Sequence, residues 1–321
     1  MKKRFLVAAV AATLISPLAA QADASVYGLV HLSLDSLDDN NAATALGDNL
    51  DMSNRTSAIG VKGKEDLGGG MSALYKLEFG VNPDETGSTI SSRDQWVGLK
   101  GAMGTVKFGT MSSNYKQMGG KVDPLYRTAA EGRAFGMQSD LHGGSGIYRG
   151  RSTNTLQYTS PAMSGVSVVF NTTISNADDE TMGLGVRYKA KNILAFFDYI
   201  DMDADRNAAT SGTESAMKIG GTYTMDSLTL GLQHELTADL LGEDTTFFSA
   251  AYGINDNDTV AFTFGTASAD VAGQLDGSGM AVAYVHAFSK RTNVYGAYTS
   301  QDVDDDGVDL DGVSFGLRHK F

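Results

Sequence analysis

From Ser25 onward the chain alternates apolar and polar positions with a period of two. Leu228, Leu230, Leu232, His234 and Leu236 alternate with Thr229, Gly231, Gln233 and Glu235. Met71, Ala73, Tyr75, Leu77 and Phe79 alternate with Ser72, Leu74, Lys76 and Glu78. Met182–Tyr188 and Val166–Phe170 behave the same way, and Met280, Val282, Tyr284, His286 and Phe288 alternate with smaller residues. This period puts successive side chains on opposite faces of a strand. A soluble sandwich alternates too, but two features favour a transmembrane barrel. The segments run about 9–11 residues, enough to cross a bilayer at a tilt. Aromatics sit near their ends, at Tyr27, Phe79, Tyr158, Tyr188, Tyr199, Tyr223, Tyr252, Phe288 and Tyr298, where membrane barrels carry girdles.

The connections alternate in length. Short ones include Glu65–Gly70, Gly101–Gly104, Ala190–Asn192, Met225–Asp226 and Ser289–Arg291. Long polar ones include Ser36–Asn54, Val81–Ser91, Met202–Glu214 and Ser300–Asp309. Short turns at one end and long loops at the other describe an outer-membrane barrel. The count is about sixteen strands, the even number that bacterial barrels take. The predicted fold is therefore all-β, a transmembrane antiparallel barrel wide enough for an aqueous channel.

One connection stands apart. Met111–Gly150 is about forty residues long and shows neither period, far beyond an ordinary loop. It carries Tyr115, Leu125, Tyr126 and Phe135, which argues against disorder. It also carries Asp123, Arg127, Glu131, Arg133 and Asp140, with Arg151 just past its end. These residues predict a loop that narrows the bore; the alternative is an external lid.

Composition refines this picture. The 321 residues hold 38 Gly but only 4 Pro, which fits many tight strand connections. There is no Cys, so neither a disulfide framework nor a thiolate metal site exists. Met1–Ala22 reads as a signal peptide: Lys2, Lys3 and Arg4 precede the apolar Phe5–Ile15, and Ala20-Gln21-Ala22 offers a cleavage site. The domain reading is thus a leader over 1–22 and a barrel over 23–321. The net charge of −13 disfavours a nucleic-acid partner.

Other chemistry finds little support. Asp302, Asp304, Asp306 and Gly307 match the start of a calcium loop, but Val313 stands where its last ligand, a Glu, is needed. A solvated acidic loop is the better reading. The five His show no H-x-x-x-H pair, so a zinc enzyme has no basis. No cofactor is expected. A barrel-surface hydrolase acting on lipid would need a lipid-facing His beside a Ser; His234 and His286 are the candidates, and interfacial anchoring is the simpler role.

Several stretches, in order, resemble the general porins of Gram-negative outer membranes: Ser25–Val30 (SVYGLV), Ser57–Gly70 (SAIGVKGKEDLGGG), Arg93–Gly101 (RDQWVGLKG), Gly104–Gly109 (GTVKFG), Arg151–Pro161 (RSTNTLQYTSP) and Val313–Phe321 (VSFGLRHKF). The resemblance implies a homotrimer of sixteen-stranded barrels, each with its third loop folded into the pore. It implies wall arginines facing loop acids. Arg93 and Arg151 stand at two wall positions, whereas Ala58 and Thr110 replace expected arginines; Lys62 offers partial compensation. Asp123, Glu131 and Asp140 are the candidate loop partners, with Arg127 and Arg133 beside them. Phe321 matches the family's terminal aromatic, the signal read by the barrel-assembly machinery.

The resulting expectation is a passive outer-membrane channel for small hydrophilic solutes, lying among membrane lipid and lipopolysaccharide. A barrel enzyme and an adhesive barrel with a blocked bore are the rival classes. The two missing arginines and the acidic outer loops predict a cation preference, which reverses if the wall arginines dominate.

Overall fold

The alternating segments close into one sheet. The computed structural model describes residues 23–39, 50–86, 90–143, 150–174, 181–202, 215–238, 243–269, 276–304 and 309–321. The predicted leader and the second half of the Asp302–Gly307 motif lie outside them. Among the described residues the strands, in chain order, are β1 (Asp23–Asp39), β2 (Asp51–Asn54), β3 (Ala58–Gly68), β4 (Met71–Gly80), β5 (Ser91–Gly101) and β6 (Gly104–Ser112). Then follow β7 (Arg151–Thr159), β8 (Val166–Thr173), β9 (Thr181–Lys189), β10 (Ile193–Met202), β11 (Ser215–Met225) and β12 (Leu228–Leu236). The last five are β13 (Glu243–Gly253), β14 (Asp258–Ala269), β15 (Gly277–Ala287), β16 (Thr292–Val303) and β17 (Leu310–Lys320).

β2 and β3 are two pieces of one barrel strand. Both pair with β1, Asn54 opposite Leu32 and Ala58 opposite Leu29. Thr56 marks the break between them with a left-handed φ of 64°, and Arg55 there forms an ion pair with Asp35. Counted so, the chain builds a closed antiparallel barrel of sixteen strands. β1 makes the closure: its first half pairs with β3 and its second with β17. No described helix is long and apolar enough to cross a membrane. The closed sheet pairs each barrel strand with neighbours on both sides, so its ladders satisfy the backbone and leave no edge.

The long and short connections fall at opposite ends, as the pattern predicts. One short turn passes through Gly68, Gly69 and Gly70, all with positive φ (76°, 62° and 80°). Three successive left-handed residues are tolerable only as glycine.

The barrel wall is apolar outside and polar or small inside. On β14, Phe262 and Phe264 are exposed outward, while Ala261 and Thr263 are buried inward. Ala281 and Ala283 of β15 and Ala297 of β16 continue the small inner surface, and Leu125 and Ala130 of the long loop pack there. Val122, Phe135 and Met137 of the loop pack against Phe196 and Phe247. The bore is thus filled on the β10–β16 side and open on the other. One aromatic assigned to the outer girdle belongs inside: the Tyr27 hydroxyl donates to the lumenal carboxylate Glu78 at 2.8 Å.

Candidate functional site

The 111–150 segment contains more regular structure than its sequence suggests. It holds a helix, α1 (Asn114–Val122), and 3-10 turns at Gly132–Phe135 and Asp140–His142. Ser113 caps α1 by accepting from the Lys116 N–H at 3.2 Å. With Gly119 and Gly120 inside it, a nine-residue helix has no stability of its own and depends on tertiary contacts.

Those contacts are buried and polar. Asn114 donates from Nδ2 to Asp198 at 2.9 Å, and its backbone N–H donates to Asn171 at 2.9 Å. Arg187 pairs with Asp198 at 2.6 Å and also donates to the Asn114 carbonyl at 2.9 Å. Lys218 donates to the Tyr115 carbonyl. Glu235 is fully buried and gathers the rest: it accepts from the Tyr115 hydroxyl at 2.9 Å, from Ser139 Oγ at 2.6 Å and from the Ser139 N–H at 3.1 Å. His142 Nε2 lies 3.1 Å from the same carboxylate. Burial, and then the Lys218 charge, push His142 down to about 4, so it is a neutral donor at pH 7. A charged acceptor with this many donors holds the loop firmly to the wall.

The opposite wall carries the open side. Glu78 of β4 takes Arg93 at 2.7 Å and Lys76 at 3.0 Å. Asp94 of β5 takes Arg151 at 2.8 Å and Lys76 at 3.1 Å. The β4–β5 register slips by one, with Leu77 opposite Gln95 but Phe79 opposite Ser92. Such a bulge sets two residues, Arg93 and Asp94, against the single residue Glu78 and turns both toward the lumen.

Two cavities meet at the narrowing. The one on the long-loop side is about 330 Å³ and is lined by Thr56, Ser91, Ser92, Arg93 and Arg133, together with Lys116, Tyr126, Arg127 and Arg151. The inner one, about 700 Å³, shares those last four residues. The shared residues therefore lie between the two cavities. Arg127 has a left-handed φ of 70° and stacks on Tyr126, 5.6 Å from the ring centroid. Burial, then the charges of Arg133 and Arg151, push Lys116 down to about 6.

The structure brings together Arg93, Arg127, Arg133 and Arg151 of the sequence-predicted set, but not the rest. Lys62 lines neither cavity; it lies over Tyr27, 5.0 Å from the ring centroid. The loop acids do not face the wall arginines. Asp123 is buried and accepts from the Leu125 and Gly132 N–H groups at 2.8 and 3.0 Å. Burial pushes its carboxyl up to about 7. Glu131 forms an ion pair with Arg133 and accepts from the Arg127 N–H at 2.9 Å. Asp140 is exposed and lines neither cavity. The wall arginines are met instead by Glu78 and Asp94, which sequence reasoning had not singled out; their signal was a charge on the polar face of a strand. Phe321 lies away from the lumen, its backbone bonded in both directions to Gly28 at 3.0 and 3.1 Å.

Comparison with known proteins agrees with this architecture. The family model described as Gram-negative porin matches residues 7–306. A major outer membrane protein P.IB of Neisseria gonorrhoeae is 33% identical over 129 residues, covering 38% of this chain and 36% of that protein. The match thus spans about a third of that relative's length. An outer membrane porin protein of Bordetella pertussis is 25% identical over 276 residues, covering 74% of this chain and 70% of that one. Among solved structures, an anion-selective porin from Comamonas acidovorans superposes with a TM-score of 0.76 at 21% identity, over 94% of this chain and all of that one.

Proposed function

The chain belongs to the Gram-negative porin family and is a protein of the outer membrane; from this we propose that it is a passive, water-filled channel for small hydrophilic solutes, with a constriction that favours anions. The observation that carries the preference is the lining of the narrowing. Arg93, Lys116, Arg127, Arg133 and Arg151 border the outer cavity, and no carboxylate does among the described residues. Three of the arginines share their charge with Glu78, Asp94 and Glu131. Arg127 has no ion pair among the described residues and sits where the two cavities meet. Fixed charge at a narrow, low-dielectric passage biases the ion that passes.

This reading reverses the cation preference expected from the sequence. That expectation gave weight to acidic outer loops, whose charge acts across solvent and is screened within about 10 Å at 0.1 M salt. The arginines act at contact distance. Reversal potentials under a KCl gradient test it. We expect an anion-selective value that persists as salt rises toward about 1 M, where the Debye length falls to about 3 Å. A cation-selective value at both salts would overturn it. The family likeness, and a solved Vibrio cholerae outer membrane protein in trimer form at a TM-score of 0.68 and 15% identity, support assembly as a homotrimer. Contacts with lipopolysaccharide and delivery by the barrel-assembly machinery belong to the same proposal.

A pH dependence follows from the loop. Lys116 is neutral above about 6 and charged below it. Asp123 is charged above about 7 and neutral below it. Acidification through this window therefore adds positive charge at both groups. Anion preference should grow between about pH 8 and about pH 5, and Lys116→Met should remove the part centred near 6. A preference that falls on acidification would contradict the assignment.

A further inference from the structure

We infer that the inner cavity contains a subsite for a small, multiply charged oxyanion of the phosphate type, built by Arg127 of the loop with Arg318 and Lys320 of β17. The inference rests on the anion-preferring reading of the constriction and adds a place where an anion stops. All three cations line the same cavity of about 700 Å³. Strand pairing sets Arg318 opposite His31 and Lys320 opposite Leu29. Arg318 and Lys320 are two residues apart on β17, so their side chains share the lumenal face of that strand, and Arg127 enters the same cavity from the loop.

No acidic side chain of β1 or β17 lines the cavity beside them among the described residues. The acids that line this cavity are Glu78 and Asp94. They stand on β4 and β5, at least three strands round the wall from β17. Each is already committed to two cations, Glu78 to Lys76 and Arg93, Asp94 to Lys76 and Arg151. Arg318 Nε is buried and has no hydrogen-bond partner. Arg127 lies over the Tyr126 ring, 5.6 Å from its centroid, and has no ion pair among the described residues, so its N–H groups can serve an anion.

Three clustered like charges, one with an orphan donor, are costly when left alone. An oxyanion with two charges removes that cost. Its oxygens accept forked pairs from the two guanidiniums and a point contact from the lysine. Chloride, with one charge and no fixed acceptor geometry, gains less. The subsite lies on the short-turn side of the narrowing, next to Arg127, so an anion held there obstructs the passage of others.

The test uses the folded protein, checked by heat-shifted electrophoresis, in planar bilayers. Chloride current is recorded at about 0.1 M KCl, where screening is limited, while inorganic phosphate is added to the short-turn side. The expected result is a saturable fall in chloride conductance. Half-block should require on the order of tenfold more phosphate for Arg127→Gln and for Lys320→Gln, the loss of one charge-assisted contact. Arg93→Gln, at the paired wall, should change it by less than about twofold. No phosphate effect in the unaltered channel, with an anion-selective reversal potential retained, overturns the subsite but leaves the selectivity reading standing. Equal weakening by Arg93→Gln also overturns it, since diffuse charge would then suffice. A cation-selective reversal potential sinks both.

Discussion

Replacing Glu235 with alanine should free the constriction loop and give a larger, noisier channel. The carboxylate is fully buried and receives Tyr115, both donors of Ser139, and His142 from the loop. Gln233 at 2.8 Å and Thr245 at 3.2 Å donate to it from the wall. Removing it leaves these donors unpaired and takes away one of the anions near buried Lys218. Breaking a buried charged network in this way costs on the order of 3–5 kcal/mol. That is comparable with fully burying about two apolar loop side chains such as Leu125 and Val122, about 1.5–3 kcal/mol each. Because the strand ladders do not depend on Glu235, the barrel itself should survive. The expected readouts are raised single-channel conductance and tryptic cleavage of the folded protein at Lys121, Arg127 or Arg133. Glu235→Gln, which keeps an acceptor oxygen, should fall between. A variant with unaltered conductance and a protease-resistant loop would show that apolar packing alone holds the segment.

The barrel was legible in the sequence because its rule is local. Alternation along Leu228–Leu236 or Met71–Phe79 names the buried face of each strand without knowledge of its neighbours. The alternating lengths of the connections then give the number of crossings and the two ends. The bore-narrowing loop was legible for a different reason: forty residues with aromatics and no period must pack somewhere. What failed to transfer was the side-chain partnership inside the lumen. Tyr27 looks like a girdle residue because it is aromatic and near a strand end, yet it lies one residue out of phase with Val26 and points inward. Arg93 and Asp94 share one face only because of a bulge, which no period can register. The acids of the loop turn back on their own backbone, as Asp123 does on Leu125 and Gly132. Asp123 and Glu131 satisfy N–H groups of the loop, and the wall arginines Arg93 and Arg151 are left to Glu78 and Asp94. The latch at Glu235 and Asp198 joins residues about one hundred positions apart. Its members read in sequence as ordinary polar positions on lumenal faces.

The chain terminus offers the second large effect: deleting Phe321, or replacing Gly28 with valine, should sharply lower the yield of closed barrel. β1 and β17 are the last pair to meet, since every other neighbouring pair is joined by a connection along the chain. Their seam ends in two backbone bonds, Gly28 N–H to the Phe321 carbonyl at 3.0 Å and Phe321 N–H to the Gly28 carbonyl at 3.1 Å. The aromatic ring lies over Gly28, on the outer face between exposed Val26 and Val30. A Cβ on Gly28 would come within 2.2 Å of that ring, so valine must expel it. Loss of both bonds and the ring contact amounts to about 2–4 kcal/mol at the seam. Phe321→Tyr should preserve assembly, because the ring and the backbone remain. Refolding of the purified chain into detergent separates two roles for the residue. If the truncated chain refolds normally but fails to appear heat-modifiable in the outer membrane, Phe321 acts as an address read by the assembly machinery. If it fails in both, the residue acts first by closing the seam, and Gly28→Val should then fail alongside it. Normal yields of both variants in cells would remove Phe321 and Gly28 from any part in assembly.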